Sequence, residues 1–142
     1  MDHLTAERRS ANMARIKSKN TKPELLVRKI LFAKGLRYRL HVKTLPGTPD
    51  ICIRKYNTVI DVRGCFWHAH DNCKLAASPK TNTDYWAPKI QRNKERDSTN
   101  QKLLETLGFT VFIIWECETR TAGDLANKVE KILIHLDRFI TH

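Results

Sequence analysis

The chain reads as an α/β sandwich around a mixed central sheet, with elements in the order αα-βββ-α-β-α. Three observations carry that reading. Apolar residues recur at helical spacing near the start, switch to a period of two between residues 36 and 62, then return to helical spacing. Turn and cap residues fall at each switch. The run TVFIIWE (110–116), isolated between two helical segments, is apolar enough to be a buried strand.

Residues 6–17 (AERRSANMARIK) are expected to form a basic helix within an N-terminal arm, 1–20, that ends in a polar break. Thr21 and Glu24 make a T-x-x-E capping box, with Pro23 in the first turn, where its missing N–H does no harm. The helix ELLVRKILFAK follows and closes at Gly35. LRYRLHV (36–42), DICIRK (50–55) and TVIDV (58–62) read as strands, the last two joined as a hairpin through Tyr56-Asn57. A long charged helix, 85–106, is capped near Asp84 and stopped at Gly108. The closing helix, 125–140, is amphipathic. At 142 residues, one domain (1–142) is expected, large enough to bury a core without disulfides.

Charge narrows the partner. Lys and Arg total 26 against 15 acidic residues, a net of +11. Residues 1–48 carry +9 of that and residues 49–142 only +2. One end of the chain is an electrostatic footprint for a polyanion, and nucleic acid fits better than a merely solvated basic face. No apolar run is long enough to cross a membrane, and MDHLTAERRS lacks the apolar core of a signal peptide. A cytoplasmic protein is therefore expected, with cysteines acting as thiols or metal ligands.

The stretch CFWHAHDNC (65–73) concentrates such ligands. Cys65, His70 and Cys73 have the spacing C-x4-H-x2-C, and Cys117 follows the fourth strand, a set that suits a closed tetrahedral Zn²⁺ site. Buried free thiols beside a surface histidine are the alternative. Four protein ligands would leave no position for water, so the zinc would be structural. Cys52, alternating with Ile51 and Ile53, reads as a small core residue.

A second constellation opens and closes the hairpin. Asp50 starts one strand; Asp61-Val62-Arg63 ends the next, with Asp61 and Arg63 on one face. Facing carboxylates at Asp50 and Asp61 would want a hard divalent cation such as Mg²⁺ between them. The pattern P-D…D-x-R is similar to that of PD-(D/E)xK nucleases, with Arg63 in the lysine position.

Together, RSANMARIKSKNTKPE, LPGTPD, GCFWH, TDYWAPKIQRNKERD and VFIIWECE resemble the very short patch repair endonucleases over residues 8–120. The resemblance implies a restriction-endonuclease-like core with mixed sheet and structural zinc. The implied activity is Mg²⁺-dependent nicking of one strand 5′ to the T of a T:G mismatch, which starts repair of deaminated 5-methylcytosine. By matching position it implies Asp50 and the Val62 carbonyl as Mg²⁺ ligands, and Glu24 as a contact to the ion's waters. His68 would be the base that deprotonates water, oriented by Asp97. Cys65, His70, Cys73 and Cys117 fall on the zinc positions. Phe66, Trp67 and Trp86 would wedge into the duplex from the major groove and Met13 from the minor groove; core packing of the tryptophans is the alternative. Unstacking is cheapest at a mismatch, and stacking on the inserted rings offsets it. Lys89 and Asn93, one helical turn apart, are expected to touch base edges or phosphate.

Two positions depart from the family, which usually carries an apolar residue at Asp61 and aspartate or histidine at Arg63. The expectation here is that Asp61 joins Asp50 on the ion while Arg63 faces the phosphate. A plain Asp61–Arg63 salt bridge is the alternative. The protein is expected to act as a monomer on double-stranded DNA, with other mismatch-repair proteins as candidate partners. Rival functions are a nuclease of the same superfamily with different specificity, and a zinc-stabilised DNA-binding module whose active site has decayed.

Overall fold

A computed structural model describes residues 20–68, 70, 71, 73 and 83–140. The first helix expected, 6–17, and Met13 within it lie outside the described residues. Helix α1 (Lys22–Ala33) is followed by strands β1 (Arg39–Leu40), β2 (Ile51–Ile53) and β3 (Thr58–Arg63). Helix α2 (Thr83–Thr106), strand β4 (Thr110–Trp115) and helix α3 (Ala122–Ile140) complete the order. The four strands form one mixed sheet in the order β1-β2-β3-β4, antiparallel for the first two pairs and parallel between β3 and β4.

Local signals explain the helix ends. The Thr21 hydroxyl accepts from the Glu24 N–H (3.3 Å), while the Glu24 carboxylate reaches back to the Asn20 N–H (3.3 Å) rather than to Thr21 itself. Gly35 and Gly108, at φ 85° and 95°, end α1 and α2 in the same way. Leu36 N–H bonds to Leu31 C=O and Phe109 N–H to Leu104 C=O, the six-to-one closure that only a left-handed residue permits.

The sheet departs from expectation at its ends. The strand expected over 36–42 shrinks to Arg39–Leu40, an exposed edge pair, ended on its far side by the left-handed backbone of His41 (φ 47°). The strand expected over 50–55 stops at Ile53. Arg54–Tyr56 curls into a 3₁₀ turn and Asn57 (φ 46°) sends the chain back, so the hairpin loop is longer than two residues. The long middle helix starts at Thr83, ahead of Asp84. The closing helix starts at Ala122, with the Thr121 hydroxyl accepting from Asp124 N–H.

Helices cover both faces. Val27 and Leu31 of α1 pack with Leu125, Val129, Ile132 and Leu136 of α3 against Ile51, Ile53, Ile60 and Ile114 of the sheet. On the other face Cys52 and Val59 meet Leu104 of α2, which makes Cys52 the core residue expected. Among the described residues no helix is long and apolar enough to cross a membrane.

Candidate active site

Strand register assembles the acidic end of the sheet. Ile51 pairs with Ile60, so the next antiparallel step sets Asp50 opposite Asp61. Leu40 pairs with Ile51, so the same step on the other side sets His41 opposite Asp50. The bonds agree: His41 N–H donates to the Asp50 carbonyl (3.1 Å), and Asp50 N–H to Asp61 Oδ1 (3.4 Å). Val62 N–H donates to Asp50 Oδ2 at 2.8 Å. Because N–H and C=O of one strand residue point the same way, the Val62 carbonyl is directed toward the Asp50 edge as well.

Buried Glu24 on α1 completes the group. Ligand atoms of Glu24, His41 and Asp50 all lie within 4.8 Å of one another. Asp61 is not gathered into this trio. Its Oδ1 accepts from the Asp50 backbone, and its Oδ2 lies 3.6 Å from Nη2 of buried Arg63, so the ion pair weighed as the alternative forms. Burial pushes the Asp50 carboxyl up to about 7, against the lowering effect of the Val62 N–H, and the Asp61 charge raises it further. Burial also raises Asp61, opposed mainly by Arg63. Two carboxyls lifted by desolvation mark a place where a cation would be held and used. The Arg28 guanidinium provides positive charge here, contacting Glu24 Oε2, His41 Nε2 (3.3 Å) and Asn20 Oδ1 (2.7 Å).

His68 and Asp97 meet beside this group. The inward face of α2 carries Trp86, Asn93, Asp97, Asn100 and Leu104 at helical spacing, which aims Asp97 at the sheet. His68 Nδ1 lies 2.5 Å from Asp97 Oδ2, a bond that fixes the ring and leaves Nε2 as its second nitrogen. The charges of both residues act on Asp61, so this dyad and the Asp50 group are electrostatically joined. Arg63, His68, Asp97 and Ser98 line an open cleft of about 420 Å³ at this end of the sheet.

The sulfur ligands converge for a reason of register. Arg63 pairs with Trp115 in the parallel ladder, so Cys65 and Cys117, two residues on, emerge side by side. Ligand atoms of Cys65, His70, Cys73 and Cys117 lie within 4.8 Å of one another. Cys117 Sγ is 3.5 Å from His70 Nδ1, and Cys117 N–H donates to Cys65 Sγ at 3.4 Å. A tetrahedral Zn²⁺ with ordinary bond lengths sets sulfur and nitrogen about 3.6 Å apart, so the four residues fit that ion. Burial pushes the Cys65 thiol up to about 12 and raises Cys117, so ionising these thiols at neutral pH calls for a cation among them. The His70 ring stacks on Trp115 (4.1 Å, 10°), a second fastening of the same loop.

The aromatics form one cluster. Phe66, Trp67 and Trp86 meet edge to face at 5.0–5.7 Å, and Tyr85 adds a fourth ring 4.6 Å from Trp86. Phe66 and Trp67 are half-buried; Trp86 is 7% exposed, the innermost ring of the group. Asn93 donates to the Trp67 carbonyl (3.1 Å), which ties the ring-bearing loop to α2, and Lys89 reaches the Tyr85 hydroxyl at 2.8 Å.

Sequence reasoning missed His41 and Arg28. Glu24 and Arg28 stand four apart on a helix, a readable ion-pair signal. His41 needed the strand register, which the eight residues between it and Asp50 conceal.

The chain is similar to known proteins over most of its length. The family described as DNA mismatch endonuclease Vsr matches residues 1–74. The type II nicking enzyme V.NmeAIP of Neisseria meningitidis is 45% identical over 132 residues, 93% of this chain and 94% of that protein. The type II nicking enzyme V.XorIIP of Xanthomonas oryzae is 44% identical over 93% of this chain and 96% of its own length. The DNA mismatch endonuclease Vsr of Escherichia coli is 41% identical over 84% of this chain and 76% of its own.

Proposed function

The chain belongs to the Vsr family of DNA mismatch endonucleases and is an endonuclease, and from that premise we propose that it nicks one DNA strand 5′ to the T of a T:G mismatch, with Mg²⁺, to start very short patch repair of deaminated 5-methylcytosine. The observation that carries this reading is the 2.5 Å His68–Asp97 bond beside the raised carboxyls of Asp50 and Asp61.

In this mechanism His68 Nε2 takes a proton from the attacking water, while Asp97 holds the ring's other nitrogen and stabilises the imidazolium that forms. Arg63 offers fixed positive charge to the scissile phosphate across the cleft. Asp50, the Val62 carbonyl and Asp61 would hold the divalent ion, with Glu24 next to it; when bound, the ion would neutralise the phosphate and acidify coordinated water. Cys65, His70, Cys73 and Cys117 would hold structural Zn²⁺ and so stiffen the loop that carries Phe66 and Trp67. Those two rings wedge the duplex with buried Trp86 packed behind them, Met13 approaches from the other groove, and Lys89 and Asn93 contact the strand near the rings. The inserted rings replace lost base stacking at about 1–3 kcal/mol per base, which suffices most readily where a mismatched pair is already weakly stacked.

The core is restriction-endonuclease-like, the chain acts as one domain and one protomer, and the basic segment 1–20 contacts double-stranded DNA in the cytoplasm. Relatives named as type II nicking enzymes favour single-strand cleavage over double-strand cutting. Labelled T:G and T:A duplexes incubated with Mg²⁺ test the whole reading. Selective nicking of T:G is expected; unselective cutting would refute the specificity, and binding without cleavage would refute the mechanism.

A further inference from the structure

His41 has no part in the mechanism above, yet its ring is held among the charged groups at the acidic end of the sheet. The edge strand stops one residue before it, and the left-handed turn at φ 47° keeps its ring mostly buried at the site. Nε2 lies 3.1 Å from both Glu24 carboxylate oxygens, 3.9 Å from Asp50 Oδ1 and 3.3 Å from Arg28 Nη2.

With a proton, Nε2 donates to Glu24, and the Arg28 Nη2 hydrogens keep Glu24 Oε2 and Asn20 Oδ1 as acceptors. Without one, its lone pair can converge with those of Glu24 and Asp50 on a single cation, because the three ligand atoms lie within 4.8 Å of one another. Donors about 2.1 Å from one ion stand about 3.0 Å apart when adjacent in an octahedron and about 4.2 Å when opposite. The observed 3.1 and 3.9 Å fall in that window. Arg28 occupies the same lone pairs as a rival cation, and Asn20 Oδ1 is the partner it can keep on leaving.

We infer that His41 binds the catalytic divalent cation through Nε2, alongside Asp50 and Glu24, and that this imidazole makes the site favour a first-row transition ion such as Mn²⁺ over Mg²⁺. Mg²⁺ takes oxygen ligands and keeps its waters, whereas transition ions accept imidazole nitrogen readily. The inference rests on the cation reading of Asp50 proposed above and names its ion class.

The test uses the full chain without DNA, titrated with Mn²⁺ or Mg²⁺ and followed by calorimetry, with pulsed EPR of the Mn²⁺ form. Wild type shows the hyperfine coupling of a directly bound nitrogen. His41→Asn, chosen because Asn tolerates left-handed backbone, loses that coupling. It binds Mn²⁺ about tenfold or more weakly, the size of effect a lost ligand-shell partner gives, while Mg²⁺ affinity changes far less. His68→Ala keeps the coupling, which excludes that ring as its source. Absence of coupling in wild type, or its survival in His41→Asn with Mn²⁺ affinity intact, overturns the inference. His41→Gln repeats the measurement if circular dichroism shows the Asn variant misfolded. Asp50→Asn separates the two levels: if it abolishes ion binding and His41→Asn does not, only the role of His41 falls, whereas unchanged binding in both removes the cation reading itself.

Discussion

Replacing Asp50 by Asn should stabilise the folded protein while abolishing its activity. The Asp50 carboxyl is lifted by burial to about 7. The sign follows from proton binding. Below pH 4 the group is protonated folded or unfolded, and its charge contributes nothing. Between pH 4 and 7 the folded chain keeps a proton that the unfolded chain has lost, so stability falls as pH rises. Above pH 7 the ionised form carries the whole penalty, about 4 kcal/mol for a carboxyl displaced this far. Asn keeps an oxygen for the Val62 N–H but still buries an amide, so roughly half of that, 2 kcal/mol, should be recovered. For a chain of 142 residues this is a rise in Tm of roughly 7 °C. The assay is thermal unfolding of wild type and Asp50→Asn at pH 4 and pH 8 in buffer free of divalent ions, with nicking measured in parallel. The gap should open only at pH 8, and added Mg²⁺ should narrow it by raising wild type alone. An Asn variant that melts at or below wild type at pH 8, or an equal gap at both pH values, would refute the reasoning.

Other perturbations address the remaining parts of the site. His68→Ala should lower single-turnover nicking about 10²–10⁴-fold with DNA affinity retained, the range for a lost general base; a loss below tenfold would remove His68 from that role. Asp61→Ala should slow nicking most at limiting Mg²⁺, and a rate equal to wild type there would confine Asp61 to its pairing with Arg63. Cys117→Ser should lower stability by about 3 kcal/mol, far below the ~10–16 kcal/mol of isolated zinc peptides, because the β3–β4 ladder already joins the two ends. Elemental analysis should show zinc in wild type and not in the variant, and equal zinc in both would defeat the ligand assignment.

Legibility in the sequence followed the range of the interaction. Thr21, Pro23, Gly35 and Gly108 act within a few residues, and the helices end where these residues predict. The Cys65, His70, Cys73 and Cys117 cluster was readable because its chemistry is unusual enough to identify it before any fold is known. Edge-strand length was not readable: Arg37 to Val42 alternate acceptably, and the left-handed His41 ends the strand on its far side. The burial of Trp86 was present in the sequence only as the alternative reading, since its neighbours Phe66 and Trp67 come from a loop fixed by long-range contacts.

The register of β3 accounts for why these chemistries meet. Antiparallel pairing with β2 is what sets Asp61 against Asp50, and parallel pairing with β4 is what sets Cys65 beside Cys117. A one-residue slip of either pairing would turn side chains to the opposite face and separate the group that pairing assembles. Tightly packed Val59 and Ile60 oppose such a slip, one toward α2 and one toward α1 and α3. The loop carrying Phe66, Trp67 and His68 therefore leaves from a strand whose position is fixed on both sides. It is fastened at its far end by the cysteine–histidine cluster and at its middle by Asn93 and Asp97. A ring inserted into DNA from this loop cannot move without moving His68. On the proposed mechanism, distortion of the duplex and placement of the base are one mechanical event, and mutations that loosen the loop should lose mismatch selectivity and nicking rate together.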